Sequence, residues 1–456
     1  MNAMTPIDAK AHALALYETA CESHRRQDWR MSAHALAAVL KALDIPERIQ
    51  QAAEPAKPAA IAPKAPKAAK PAKASKVAAY SMTAESLTRA LRLLGRAVEA
   101  RNSTPILSTV HMRAAHSYLA ITSTNLDFKV SVRVEGEGLG QWEAAVPYAK
   151  LRDVLAKMSG PVTMTGERSE VKTRKVNQET EEYRDSSVKV SAGSASAILA
   201  GLCPEDFPMG KFEANYQVPI TASQLGDALQ FVRLSISTEE TRYYLGGVYL
   251  HSSTQGTHVA ATDGHRLACV TTAPQETAPT FGGVIIPRDT VLAILACIKA
   301  GVDGALHVSP SGVSFESPEV CLQSKTIDGS FPDYTRVIPE TSDTPVSLDG
   351  AGLSAMVARV SSVSDAKAPP VNLAFADGYL TATCQPLDGA ASSESMGYGC
   401  TGAYDVSMSV NANYLRQACD ELGDVVEFHL GGSNDPIRLA NPAKPDRLMV
   451  LMPLRV

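Results

Sequence analysis

At 456 residues the chain is too long for one ordinary core, and two to four domains are expected. Hydrophobic content of 45% and charged content of 20% describe an ordinary globular protein, and no stretch approaches the roughly 18 apolar residues of a membrane span. The net charge of −5 is uneven: residues 1–79 hold 12 Lys/Arg against 7 Asp/Glu, and residues 80–456 hold 31 against 41. So acidic a body excludes nucleic acid as a partner except where its basic residues gather on one surface.

The N-terminus lacks a basic-then-apolar signal, and Asp8, Glu18, Glu22 and Asp28 argue against a transit peptide, so a cytoplasmic protein is expected. The eight cysteines (21, 203, 269, 297, 321, 384, 400, 419) form no CxxC pair, which fits reduced thiols and predicts neither a disulfide frame, a structural metal nor a cofactor. Residues 1–51 carry apolar residues at helical spacing (Leu14, Tyr17, Cys21; Leu36, Val39, Leu40, Leu43) and predict a small helical extension. Residues 52–79 are almost wholly Ala, Pro and Lys. Proline removes helix donors and the lysines repel, so this stretch predicts an extended linker.

After the linker one grammar recurs. "YSMTAESL", "VPYAKL", "VPITASQL", "IIPRDTVL", "VSLDGAGL" and "VNANYL" each open on an extended residue, pass a polar or proline start signal, and reach a leucine that begins an amphipathic run. The leucines (87, 151, 225, 292, 353, 415) are spaced by 64, 74, 67, 61 and 62 residues, the mark of a repeat. The long interval contains "GERSEVKTRKVNQETEEYRDSS", a charged insertion near 167–188 that predicts a surface loop or extended hairpin. Between the helices lie alternating runs such as "GVYLHSS", "THVAAT", "HRLACVTT", "DVSMSV" and "VVEFHL", punctuated by Asp263-Gly264, Asp328-Gly329 and Asp377-Gly378, which predict hairpin turns. The fold class is therefore α+β. Six units, each a helix plus antiparallel strands, pair into three domains at 80–215, 216–343 and 344–456.

The stretch "ATDGHRLA" concentrates polar groups. One reading makes the chain a DNA-repair or nuclease enzyme with His265 as general base and Asp263 as its orienting partner. Gly264 between them places the pair poorly, and no GxSxG, HExxH or GxxxxGK motif supplies a nucleophile, metal or phosphate site. The fragment reads better as a turn that a partner recognises.

That turn resembles the signature hairpin of the bacterial DNA sliding clamps, the β subunits of DNA polymerase III. "RYYLGGVYL", "DGSFPDYTRVIP" and the C-terminal "MVLMPLRV" stand in that family's order, and "RNSTPILSTVHM" followed by "LAITSTNLDFKVSV" resembles its first domain, so the likeness spans about 80–456. It implies three similar clamp domains per subunit and a head-to-tail homodimer forming a ring around double-stranded DNA. It implies no catalysis; the partners would be the polymerase catalytic subunit, the clamp loader and other proteins bearing a clamp motif. Carried over position by position, a partner-peptide groove comprises Leu245, Thr262, Gly264, His265, Arg266, Leu267, Pro332, Arg336, Val337, Asn411, Tyr414 and the chain end Val450, Leu451, Met452, Pro453, Leu454, Arg455 and Val456. Leu245, Leu267, Val337 and Leu451 would give an apolar floor, and Arg266 and Asn411 would fix the peptide's polar parts. The implied DNA contacts are Arg89, Arg92, Arg96, Arg101, Tyr243, Tyr244 and Arg288, with Lys150, Arg152, Lys157 and Arg416 as additions. All would be sequence-blind and salt-sensitive. Two departures stand out: Ala368 and Pro369 replace a bulkier groove wall, and Glu239 and Glu240 sit where polar DNA-facing side chains are usual.

Overall fold

The computed structural model describes residues 79–99, 104–138, 140–176, 179–210, 212–214, 216–272, 281–387, 389–399 and 404–454. The expected helical extension (1–51), the linker up to residue 78, and Arg101, Arg455 and Val456 lie outside the described residues. Ala79, read as the linker's last residue, instead begins the first strand, Ala79–Thr83. No helix among the described residues is long and apolar enough to cross a membrane.

Six times among the described residues the chain runs strand, helix, then three main antiparallel strands. The helices are α1 (Ala84–Leu94), α2 (Tyr148–Leu155), α3 (Ala222–Val232), α4 (Arg288–Lys299), α5 (Gly350–Ser361) and α6 (Ala412–Leu422). The side chains of Thr83, Thr221, Asp349 and Asn411 cap four of them by accepting from the N–H groups of Ser86, Gln224, Gly352 and Asn413. Pro147 and Pro287 stand at the other two caps, where a missing N–H costs the helix nothing. Four residues past each cap comes the anchoring side chain: Leu87, Leu151, Leu225, Val291, Leu353 and Leu415, each at most 1% exposed. The fourth corrects the sequence reading. Val291, not Leu292, holds the anchor position. One step along a helix turns the side chain by about 100°, and that leaves Leu292 half-buried.

The units interlock in pairs, because the strand entering each unit completes the sheet of its neighbour. Units one and two exchange Ala79–Thr83 and Trp142–Pro147, units three and four exchange Tyr216–Gln217 and Val284–Pro287, and units five and six exchange Val346–Asp349 and Asp405–Asn411. Each helix pair, α1 with α2, α3 with α4, α5 with α6, packs together over these sheets. Two seams then join the pairs. Phe128–Glu135 of unit one pairs with Val320–Lys325 of unit four, and Arg266–Thr271 of unit three pairs with Arg447–Leu451 of unit six, giving two eight-stranded sheets. Two smaller sheets are left with open edges: Ala195–Ala200 of unit two and Ser392–Gly397 of unit five.

The turn predictions hold at two of three positions. Asp377-Gly378 joins its strands directly with both residues at positive φ (52° and 77°), the backbone a two-residue hairpin needs. Asp263 and Gly264 begin a three-residue connection between Gly256–Thr262 and Arg266–Thr271. Asp328-Gly329 is no hairpin; it lies in the connector after Val320–Lys325, where the glycine passes close to Tyr244. The charged insertion is an extended hairpin, Lys172–Val176 with Glu179–Tyr183.

Candidate functional site

The Asp263-Gly264-His265 turn is built by its own side chains. Thr262 Oγ1 accepts from Gly264 N–H at 3.1 Å and donates to the Arg266 carbonyl at 2.6 Å. Asp263 Oδ1 accepts from the backbone N–H groups of His265 and Arg266 at 2.9 and 3.0 Å. Gly264 sits at φ +88°, with the Arg242 guanidinium against the space a side chain would fill. Asp263 is thus committed to the turn and, through Oδ2, to Arg266 Nε at 3.0 Å; its bond to His265 is to the backbone, not the imidazole. That removes the orienting carboxylate from the nuclease reading. Among the described residues no cluster of three His, Cys, Asp or Glu is placed to hold a metal.

Arg266 is the hub of the region. Its guanidinium donates to Asp263, to Gln417 Oε1 and to the Leu234 carbonyl, and lies 4.1 Å over the Tyr414 ring. Its side chain is only 13% exposed. Two elements far apart in sequence, the unit-three turn and α6, are fastened by this one residue. Asn411 is likewise occupied as the cap of α6. Arg266 and Asn411 therefore position the wall rather than offer free polar groups, and Tyr414 presents the ring they hold in place.

Beneath the turn, Leu267 pairs in register with Val450, and both join Ala260, Cys269 and Tyr334 in a small buried cluster capped by Phe331, Ile338, Tyr249 and Leu448. Leu245 and Leu451 are buried as well. Of the four residues expected on an apolar floor, Leu245, Leu267 and Leu451 are therefore buried and Val337 is not. Exposed apolar area belongs to Met452 (37%) and to Val337 (43%), whose connector also exposes Pro332 and Arg336. Met452 N–H donates to the His265 carbonyl at 2.9 Å and Leu454 N–H to the Ser409 carbonyl at 2.7 Å, which lays the chain end along the turn. The Ala368-Pro369 segment is tied to the start of α6, its Pro369 carbonyl accepting from Ala412 N–H at 2.9 Å.

Sequence reasoning missed an aromatic and histidine stack that holds the connector down. Tyr249 stacks on Phe331 (4.8 Å, 3°), His251 Nε2 bonds the Tyr334 hydroxyl at 2.8 Å, and His251 stacks on His258 at 4.6 Å. Burial, with His258 adjacent, pushes the His251 imidazole down to about 4. The signal was present: Tyr249 and His251 alternate in "GVYLHSS" and so share one face.

The DNA-facing candidates separate into groups. Arg89 and Arg92 of α1 and Arg96 of the 3-10 turn that follows it are exposed and, with Lys299 of α4, line a cleft of about 1160 Å³ that contains one acid, Glu85. Arg89 donates to the Ala300 carbonyl at 2.6 Å, linking the two helices. Tyr243 is 57% exposed and meets Tyr244 edge-on. Arg288, at the start of α4, lies instead in a separate cleft of about 370 Å³ with Arg233, Glu239, His265 and Tyr414. Glu239 is paired with Arg242 at 2.8 Å, which reduces the repulsion its charge suggested. Lys150 and Lys157 are exposed, Arg152 is paired with Asp153, and Arg416 is half-buried.

Comparison with known proteins agrees with this architecture. Residues 219–333 match the family described as DNA polymerase III beta subunit, central domain, and residues 335–455 match its C-terminal domain. The chain is 32% identical over 382 residues to the beta sliding clamp of Caulobacter vibrioides, covering 81% of this chain and 98% of that one. It is 27% identical over 384 residues to that of Pseudomonas aeruginosa, covering 83% and 100%. Among solved structures, the C. crescentus beta sliding clamp superposes with a TM-score of 0.75 at 30% identity over 84% of this chain and all of that one. A Bartonella birtlesii sliding clamp bound to griselimycin gives 0.72 at 28% over 83% and 99%. Matched over nearly the whole length of these proteins, the chain belongs to the DNA polymerase III beta-subunit family, the bacterial beta sliding clamps.

Proposed function

We propose that the chain is a DNA sliding clamp: a non-catalytic cytoplasmic processivity subunit whose three domains (80–215, 216–343, 344–456) close with a second copy into a ring around duplex DNA. The observation that carries the ring is the order of the seams. Unit one joins unit four, and unit three joins unit six. The same step of three takes unit five past the end of the chain, to unit two of another copy. Those are the units whose edges, Ser392–Gly397 and Ala195–Ala200, are open. Two copies joined head to tail satisfy both edges, and unpaired edges are otherwise an aggregation hazard.

In this reading Arg89, Arg92, Arg96 and Tyr243 face phosphates in the channel, and Arg288 adds charge near the groove. Polymerase, loader and other clamp-motif proteins insert a linear peptide over Gly264, His265, Tyr414, Val337 and Met452, where the buried Leu267 and Val450 give the floor its shape. Topology rather than affinity holds such a ring on DNA. Loaded onto nicked circular duplex by a clamp loader, the protein should stay with DNA through gel filtration in high salt and run off once the circle is cut. Equal loss from circle and line would refute the reading.

A further inference from the structure

The two seams repeat in detail, and the repeat, carried to the third junction of the proposed ring, locates two enlarged loops. At the first seam, Lys325 N–H donates across it to the Asp127 carbonyl at 2.8 Å, and Ile327 N–H donates to Ile285 at 2.9 Å. At the second, Met452 donates across to His265 and Leu454 to Ser409. Leu202 N–H donates to Ala145 at 2.8 Å in the same manner, so Ala200 stands where Lys325 and Met452 stand. In the proposed ring its crossing partner is then the segment just before Ser392–Gly397 of another copy, as Asp127 and His265 belong to the turns before their own seam strands. On the other side of Ala200 lies Ser187, just after the inserted hairpin, as Gly312 lies beside Lys325. Hairpin and loop therefore come to one end of the third seam from opposite copies.

Both are enlarged there. The first seam has short turns at this end, residues 125–127 and 310–311. The third has the two-stranded hairpin and a loop carrying Leu387, which is fully exposed. The hairpin is pinned to its own body: Arg174 pairs with Asp206 (2.7 Å for Nη2 to Oδ1), Arg168 with Glu205 at 2.6 Å and Lys172 with Asp185 at 2.7 Å. It presents Val171, 44% exposed, beside Tyr183 and Cys203 at a cleft of about 550 Å³ whose other seven lining side chains are charged, four of them in the pairs just named. The open edges themselves are lean. Ile198 is the one large exposed side chain of "ASAILA", facing "SSESMG", whereas the first seam buries Phe128, Val130 and Val132 against Val320 and Leu322, each 6% exposed or less.

We propose that the inserted hairpin of one copy receives Leu387 of the next, an apolar latch that compensates for a weak seam; this rests on the head-to-tail ring proposed above. The test is the dimer dissociation constant of the full chain by sedimentation velocity over a dilution series. Wild type should be dimeric and Ile198→Asp monomeric. Leu387→Asp, at a site too exposed to affect folding, should raise Kd at least about a hundredfold, the size expected when one leucine side chain loses its burial at each of two junctions. Val171→Cys with Leu387→Cys should give a covalent dimer on oxidation that neither single variant gives. A dimeric wild type whose Kd is unmoved by Leu387→Asp, or which fails to cross-link through that pair, overturns the latch and leaves the ring standing. A monomeric wild type overturns the ring reading and the latch with it.

Discussion

Replacing Arg266 by alanine separates two roles for this residue, a wall post and a peptide ligand. The structure makes it a post. Its loss leaves Gln417 Oε1 and the Leu234 carbonyl without their donor, uncovers the Tyr414 ring and strips Asp263 of its cation in a pair only 13% and 14% exposed. Breaking a buried ion pair costs about 3–5 kcal/mol, and the lower end applies because Asp263 keeps two backbone donors. The expected loss is about 3 kcal/mol, read by urea unfolding. Asp263→Asn and Gln417→Ala should each show strong coupling to it in double-mutant cycles. Arg266→Lys keeps the charge but not the fork, and should recover less than half of the loss. If Arg266→Ala unfolds within about 0.5 kcal/mol of wild type yet abolishes partner-peptide binding, the guanidinium is a ligand and the scaffold argument fails.

Four further outcomes can be checked. As pH falls from about 6.5 toward 4, the unfolded chain takes up a proton that folded His251 refuses. Stability should therefore decline through that window and level off below it, and His251→Gln should flatten the slope of melting temperature against pH. Val291→Ala should destabilise more than Leu292→Ala although it removes fewer atoms, because only Val291 is fully buried, and urea midpoints will rank them. The triple change of Arg89, Arg92 and Arg96 to alanine should lower the salt dependence of DNA association by about two to three in log–log slope, alike on every sequence. Leu267→Ala combined with deletion of residues 452–456 should abolish binding of a Gln-Leu-x-Leu-Phe peptide by fluorescence anisotropy while the dimer persists; unchanged affinity would remove the groove assignment.

Helix starts were legible because they are local: a cap such as Thr221 and a leucine such as Leu225 lie within five residues and depend on nothing else. The one error, Leu292 for Val291, came from counting leucines instead of positions after the cap. The resemblance supplied a set of expected groove residues but not the contacts that each one makes. The chemistry of Arg266 is decided by Leu234 and Gln417, distant in sequence, and no local pattern shows that its donors are already taken. Asp328-Gly329 misled for the same reason, its glycine serving a close approach to Tyr244 rather than a hairpin. The insertion was read as a surface loop or extended hairpin and is the hairpin, but its nearness to the proposed third junction follows only from pairing registers.

The seam between Arg266–Thr271 and Arg447–Leu451 also bears on synthesis. The central strand leaves the ribosome long before its partner, which lies among the last ten residues of the chain. At about 5–20 residues per second, that edge stands bare for roughly ten to forty seconds on every nascent chain. A message or chain cut short near its end therefore yields more than a protein lacking a tail. It yields one whose middle sheet never closes, and such a product should be recognised by chaperones and proteases as unfinished.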